Sequence, residues 1–216
     1  NLRGRKPLQV FSPTISFGYA EQINAICSRI QQEAAEHGSR VFMVTGVSES
    51  EGKSTVAVNL ALSMAKKGKE VLLIDSDMRK PACHLILGVN NKLFGLADML
   101  HKKSTLSASV HTLKSSGLHV MTTKRSPITA TKLLNSSVME QILEAAAAKY
   151  DIVIVDTPPM SIAPDAECIS EYAEVSLLVL RQNEALVNDL EDVISVLEQS
   201  NSRLLGCVLN NVYSSF

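Results

Sequence analysis

The stretch TGVSESEGKST, residues 45–55, decides how the rest of the chain reads. An apolar run, Val41-Phe42-Met43-Val44, leads into it, a small polar turn follows, and Gly52-Lys53-Ser54-Thr55 opens a helical pattern. Strand, glycine-bearing loop and helix in that order make a phosphate-binding loop. The chemistry accounts for the residue types. Gly52 lets backbone amides crowd an anion, the helix N-terminus adds its positive dipole, Lys53 neutralises phosphate oxygens, and the hydroxyl that follows suits magnesium. One position is irregular. The standard pattern puts its first glycine at position 47, where this chain has Val47, with Gly46 one residue earlier.

Outward from the loop, short continuous apolar runs recur at 71–74, 118–121, 152–155, 175–180 and 204–209, as expected of parallel strands covered on both faces. Helical spacing separates them. Ile23, Ile26, Ile30 and Ala34 mark a helix over 19–36 that Gly38 ends, and Gly68 ends the helix over 53–67. Further helices are predicted at 138–148, 164–172 and 188–199. The alternation predicts a doubly wound α/β fold, with a mostly parallel sheet flanked by helices. The segment 81–116 is the least regular and is expected to hold short helices, one of them over 96–101. Residues 1–17 carry Arg3, Arg5, Lys6, Pro7 and Pro13 and read as a linker or extended arm, leaving 18–216 as a single domain.

Open parallel sheets bind ligands at the carboxyl ends of their strands. Beyond the loop, the strand at 71–74 runs into Asp75-Ser76-Asp77-Met78-Arg79, and the strand at 152–155 into Asp156-Thr157-Pro158-Pro159. A nucleotide–magnesium complex needs oxygen ligands, one or two of them carboxylates. Asp75 or Asp77, with Ser54 or Thr55 and Asp156, supplies such a set. Each aspartate alone would pass for a cap or turn residue; their convergence at strand ends is the signal.

Composition narrows the class. A net charge of −1 leaves no basic excess for a nucleic acid partner. Cys27, Cys83, Cys168 and Cys207 are scattered, with no paired spacing for zinc or a redox dithiol, and read as free thiols in a reducing compartment. No apolar run has the ~18 residues of a membrane span, so this stretch of chain is expected to be soluble.

TGVSESEGKST, the run into Asp75-Ser76-Asp77-Met78-Arg79-Lys80-Pro81, and IVIVDTPP ending at Pro159 resemble the Walker A, A′ and B motifs of the bacterial tyrosine kinases. Those kinases share their fold with the MinD- and ParA-like ATPases, and serve capsule and exopolysaccharide assembly. Partitioning ATPases place a second lysine early in the loop, where this chain has Ser48. The resemblance implies ATP-dependent tyrosine autophosphorylation that regulates polysaccharide polymerisation and export. It implies that Lys53 grips the β- and γ-phosphates and that Ser54, Asp77 and Asp156 hold magnesium. Asp75 would orient the acceptor hydroxyl. Ser50, Glu51, Gly52, Thr55, Arg79 and Asn210 would complete the ATP/ADP contacts, Asn210 against adenine and Arg79 paired with Asp77 or the phosphates. Tyr213 is the candidate acceptor, while Tyr19, Tyr150 and Tyr172 are expected to pack. The implied partners are a membrane polysaccharide co-polymerase segment, fused or separate, a cognate phosphotyrosine phosphatase and further copies of the chain, at the cytoplasmic face of the bacterial inner membrane.

The chain departs from that family in three places. Glu49-Ser50 stands where proline-glycine is usual, which should stiffen the turn and bring negative charge toward phosphates. The Glu-x-x-Arg-x-x-Arg run behind ring assembly has Glu21 but then Asn24 and Cys27, so these residues do not support a ring. Tyr213 is the sole tyrosine after Tyr172, where the family has a cluster. These departures suit an alternative reading: a nucleotide switch controlling assembly with a membrane partner, with little phosphorylation.

Overall fold

Side-chain alternation along the strands builds two cores, one on each face of a sheet. In a computed structural model describing residues 17–90 and 93–211, Phe42 and Val44 of β1 (Val41–Gly46) point to one face, and Val41 and Met43 to the other. Val71 and Leu73 of β2 (Val71–Asp75), and Ile152 and Ile154 of β5 (Ile152–Asp156), join the first face; Leu72, Ile74, Val153 and Val155 join the second. A period of two with both faces apolar is the pattern of a sheet buried between helix layers.

The first layer is α1 (Phe17–His37) and α2 (Lys53–Lys66). α2 is buried along almost its whole length because it lies between the sheet and α1, which explains its run of small and apolar residues. The second layer holds α7 (Ser137–Ala147), α8 (Asp165–Ser170) and α9 (Val187–Gln199). The irregular segment contributes α3 (Cys83–Leu87), α4 (Leu96–Leu100), α5 (Leu106–Ser109) and β3 (His111–Thr112); α6 (Ala130–Leu134) follows β4 (His119–Met121). With β6 (Val175–Arg181) and β7 (Arg203–Asn210), the described residues form a seven-stranded sheet in the order β3-β4-β2-β5-β1-β6-β7. Every pairing is parallel except β3–β4.

The doubly wound, mostly parallel sheet is as expected. The short antiparallel strand β3 and helix α6 were not, since stretches of two and five residues carry no readable period. Phe17 begins α1; the arm ahead of it, and Tyr213, lie outside the described residues. Tyr150 is buried in the second core, and Tyr19 and Tyr172 pack against the first and second, as expected. Among the described residues no helix is long and apolar enough to cross a membrane.

Candidate functional site

The parallel register of β2 and β5 sets Asp75 opposite Asp156, and that of β1 and β5 sets Asp156 opposite Val44, one residue before the phosphate loop begins. Three strand ends therefore meet, as the sequence predicted.

Within the loop, Gly52 takes φ 94°, a left-handed conformation that glycine adopts without penalty, and a Cβ there would lie 2.1 Å from Nδ2 of Asn210. Asn210, at the end of β7, donates from that nitrogen to the Glu51 carbonyl at 2.9 Å, so it braces the loop from the side. The irregular first glycine now has a reason. Val47 is buried against Leu178, Val193 and Leu197 as a core residue. Gly46 supplies the close approach instead, since a Cβ there would meet Oε2 of Glu51 at 2.2 Å and the Val179 carbonyl at 2.8 Å.

The two loop glutamates diverge. Glu49 turns outward onto Lys80 at 2.5 Å. Glu51 turns inward and is fully buried; its Oε2 accepts the Ser48 amide at 2.9 Å and lies 3.9 Å from Nζ of Lys53. Burial raises the Glu51 pKa, against the opposing pull of the Ser48 amide and Lys53. Lys53 donates to the Ser48 carbonyl at 2.6 Å, and burial lowers its pKa although Glu51 and Asp156 favour its charge. Ser50, where the family has glycine, holds φ 63°.

Behind the loop lies a dense carboxylate group. Asp75 is fully buried: Oδ1 accepts the Asp77 amide at 3.2 Å, and Oδ2 accepts the Ala82 and Cys83 amides at 3.2 and 3.1 Å. Asp77 reaches the surface slightly, with Oδ1 accepting the amides of Arg79 and Lys80 at 3.0 and 2.8 Å. Asp156 is fully buried, and its Oδ1 has no hydrogen-bond partner. Its pKa is pushed up from 3.8 to about 7, chiefly by burial, while the nearby Ser54 hydroxyl and the Cys83 thiol pull it back. Asp75 is driven well above the usual carboxylate range by burial first and by Asp156 second. Two buried carboxylates this near each other resist ionising together, so the empty pair favours a protonated form.

Arg79 does not pair with the Asp77 side chain. Its guanidinium forms a two-pronged bond to Asp165, at 2.7 and 3.0 Å, and donates to Thr131 Oγ1 at 3.1 Å. A planar fork matches a carboxylate in this way, and the buried, otherwise unopposed charge of Asp165 claims it. Asp165 falls within the helix expected over 164–172, and nothing in local spacing ties it to a residue so distant in sequence. Cys83 was likewise missed: its buried Sγ donates to Oδ2 of Asp156 at 3.3 Å. On α1, Cys27 is buried and Asn24 accepts from Ser63 of α2.

Residues 45–203 match a family described as an AAA domain. The chain is 35% identical over 191 residues to the tyrosine-protein kinase YwqD of Bacillus subtilis, covering 88% of this chain and 80% of that protein. Other curated relatives are longer, and the chain spans 25–27% of their length. The kinase domain of the Escherichia coli tyrosine kinase ETK superposes with a TM-score of 0.87 at 30% identity, covering 100% of this chain and 84% of that one. At 22% identity the MinD protein of Pyrococcus horikoshii, solved with Mg-ADP, shares the fold, with a TM-score of 0.70 over 79% of this chain and 69% of that one. Motifs, fold and relatives agree that this chain belongs to the bacterial tyrosine kinases, built on the P-loop ATPase fold.

Proposed function

We propose that the chain is a magnesium- and ATP-dependent protein-tyrosine kinase that phosphorylates its own kind and regulates capsule or exopolysaccharide polymerisation and export. The observation that carries this reading is the register of β2 and β5, which brings Asp75 and Asp156 together behind the start of α2, where Lys53 lies. Lys53, freed from the Ser48 carbonyl, neutralises the β- and γ-phosphates, and the amides of residues 50–55 face the same oxygens. Gly52 allows that approach, Thr55 lies in the first turn of α2, and Asn210 flanks the loop on the side assigned to adenine.

Ser54, Asp77 and Asp156 would hold magnesium. They fit it: all three are oxygen donors, and the buried Asp156 Oδ1 has a free valence that a hard cation satisfies. Bound there, magnesium would offset the charge that builds on the phosphate oxygens.

Asp75 has its oxygens committed to backbone amides, so its first effect is to fix the turn that carries Asp77. Full removal of a tyrosine proton by an ordinary carboxylate faces a gap of about six pKa units, roughly 8 kcal/mol. A loose phosphoryl-transfer transition state lets the proton leave late, so Asp75 need only position the hydroxyl. Arg79 acts from behind, through Asp165 and Thr131, rather than on phosphate. Tyr213 is a candidate acceptor, and the partners are a membrane polysaccharide co-polymerase segment at the cytoplasmic face of the membrane, a phosphatase that resets the tyrosines, and other copies of the chain.

Asp75→Asn tests the assignment. The amide would turn a donor toward backbone N–H groups, so phosphotyrosine formation should fall at least tenfold while nucleotide still binds. Unchanged phosphorylation by Asp75→Asn would remove Asp75 from the chemistry.

A further inference from the structure

Asp75, Cys83 and Asp156 each present one potential ligand atom, all within 4.8 Å of one another, and all three residues are buried. The set differs in kind from the oxygen-only ligands that magnesium takes. A thiolate with two carboxylates selects a softer, thiophilic divalent cation, of which zinc is the common type. In tetrahedral coordination, zinc–sulfur and zinc–oxygen bonds of ~2.3 and ~2.0 Å set sulfur and oxygen about 3.5 Å apart. Cys83 Sγ and Asp156 Oδ2 stand at 3.3 Å, close to that separation. The Asp75 carboxylate is already oriented by amides from residues 77, 82 and 83, the kind of outer support that fixes a metal ligand. Asp156 Oδ2 faces Cys83, and Asp156 Oδ1 is buried without a hydrogen-bond partner, so this carboxylate has coordination positions to spare that either cation can fill.

We propose that Cys83, Asp156 and Asp75 form a binding site for a thiophilic divalent cation such as zinc, which takes Asp156 away from magnesium and arrests the kinase. The cation replaces the Sγ proton of Cys83 and any proton held by the two carboxylates, all of which pass to solvent; no electron transfer is involved. Water completes the coordination. The metal site rests on the geometry alone, while its inhibitory effect rests on the kinase reading above.

Cobalt(II), a zinc surrogate whose bond to thiolate absorbs in the near ultraviolet, separates the two. Titrated into the nucleotide-free protein without magnesium, it should produce the thiolate band at one equivalent in the wild type and none in Cys83→Ser. Zinc, followed by competition with a chromophoric chelator, should bind that variant at least about 100-fold more weakly than the wild type, since loss of an outer-shell partner alone costs about 10–100-fold. Cys168→Ser and Cys207→Ser, which alter the less buried thiols, should keep the band. A thermal melt checks that Cys83→Ser is folded, and Cys83→Ala is read in its place if it is not. A band that survives loss of Cys83, or no band in the wild type, overturns the site. Zinc should then suppress phosphotyrosine formation in the wild type at concentrations that match the chelator competition. If zinc fills the site and phosphorylation continues, the inhibitory role is wrong. If the wild type makes no phosphotyrosine, the kinase reading fails while the cobalt band still decides the metal site.

Discussion

At position 50 the backbone asks for glycine and the chain supplies serine. A φ of 63° costs an L-residue about 1 kcal/mol, so Ser50→Gly should raise unfolding stability by up to about 1 kcal/mol, less the entropy glycine adds to the unfolded chain. Equilibrium urea unfolding measures it, and a loss of stability would show that the Ser50 side chain contributes a contact of its own. At Gly52 the opposite holds. Gly52→Ala would force a Cβ into Asn210 at a left-handed position, and calorimetric titration should show nucleotide affinity reduced at least tenfold. Position was legible in advance at this scale: Asp75 and Asp156 close their strands, Asp77 follows in the turn, and Lys53 and Ser54 open α2. The direction of a side chain was not. Glu49 and Glu51 are two residues apart, yet one faces Lys80 and the other the loop interior, a choice made by Gly46 and Ser48 through the fold.

Between elements, the joint of most consequence is the one from Arg79 to Asp165 and Thr131, which ties the turn after β2 to α8 and α6. Asp165 is fully buried and also accepts from Thr131 Oγ1 at 2.5 Å. Arg79→Ala would strand that charge, at a cost of about 3 kcal/mol, and would free the turn that carries Asp77. Asp165→Asn paired with Arg79→Ala removes the stranded charge and should recover part of the loss in denaturant unfolding. Recovery of none would mean that the arginine works elsewhere. Helices and strands of ordinary length were readable because period and capping agree along them, as in α2 between Gly52 and Gly68. The joint itself was not, because residues 79, 131 and 165 meet only once the sheet order is known.

For the molecule as a whole, the carboxylate pair sets a pH dependence whose sign is fixed. Asp156 is raised from 3.8 to about 7, and Asp75 moves in the same direction. Between roughly pH 4 and pH 7 the folded state therefore holds protons that the unfolded chain has released. The pair's contribution to stability without ligand falls as pH rises through that window, and it goes on falling until Asp75 too has ionised. Asp156→Asn should flatten the slope in thermal melts, and a slope as steep as in the wild type would show that other groups cause it. Burial of strand ends is thus both what destabilises the empty carboxylates and what suits them to a cation. The doubly wound architecture was readable from alternation alone, because buried parallel strands and their crossover helices leave periods of different length in the sequence. The central claim is that this crevice transfers phosphate from ATP to tyrosine. It is tested most directly by incubating the protein with magnesium and ATP, with and without a tyrosine-bearing acceptor polypeptide, and measuring phosphotyrosine beside Lys53→Met. The account predicts phosphotyrosine in the wild type that requires both magnesium and ATP, and none in the variant; a wild type that binds magnesium–ATP yet forms no phosphotyrosine would contradict it.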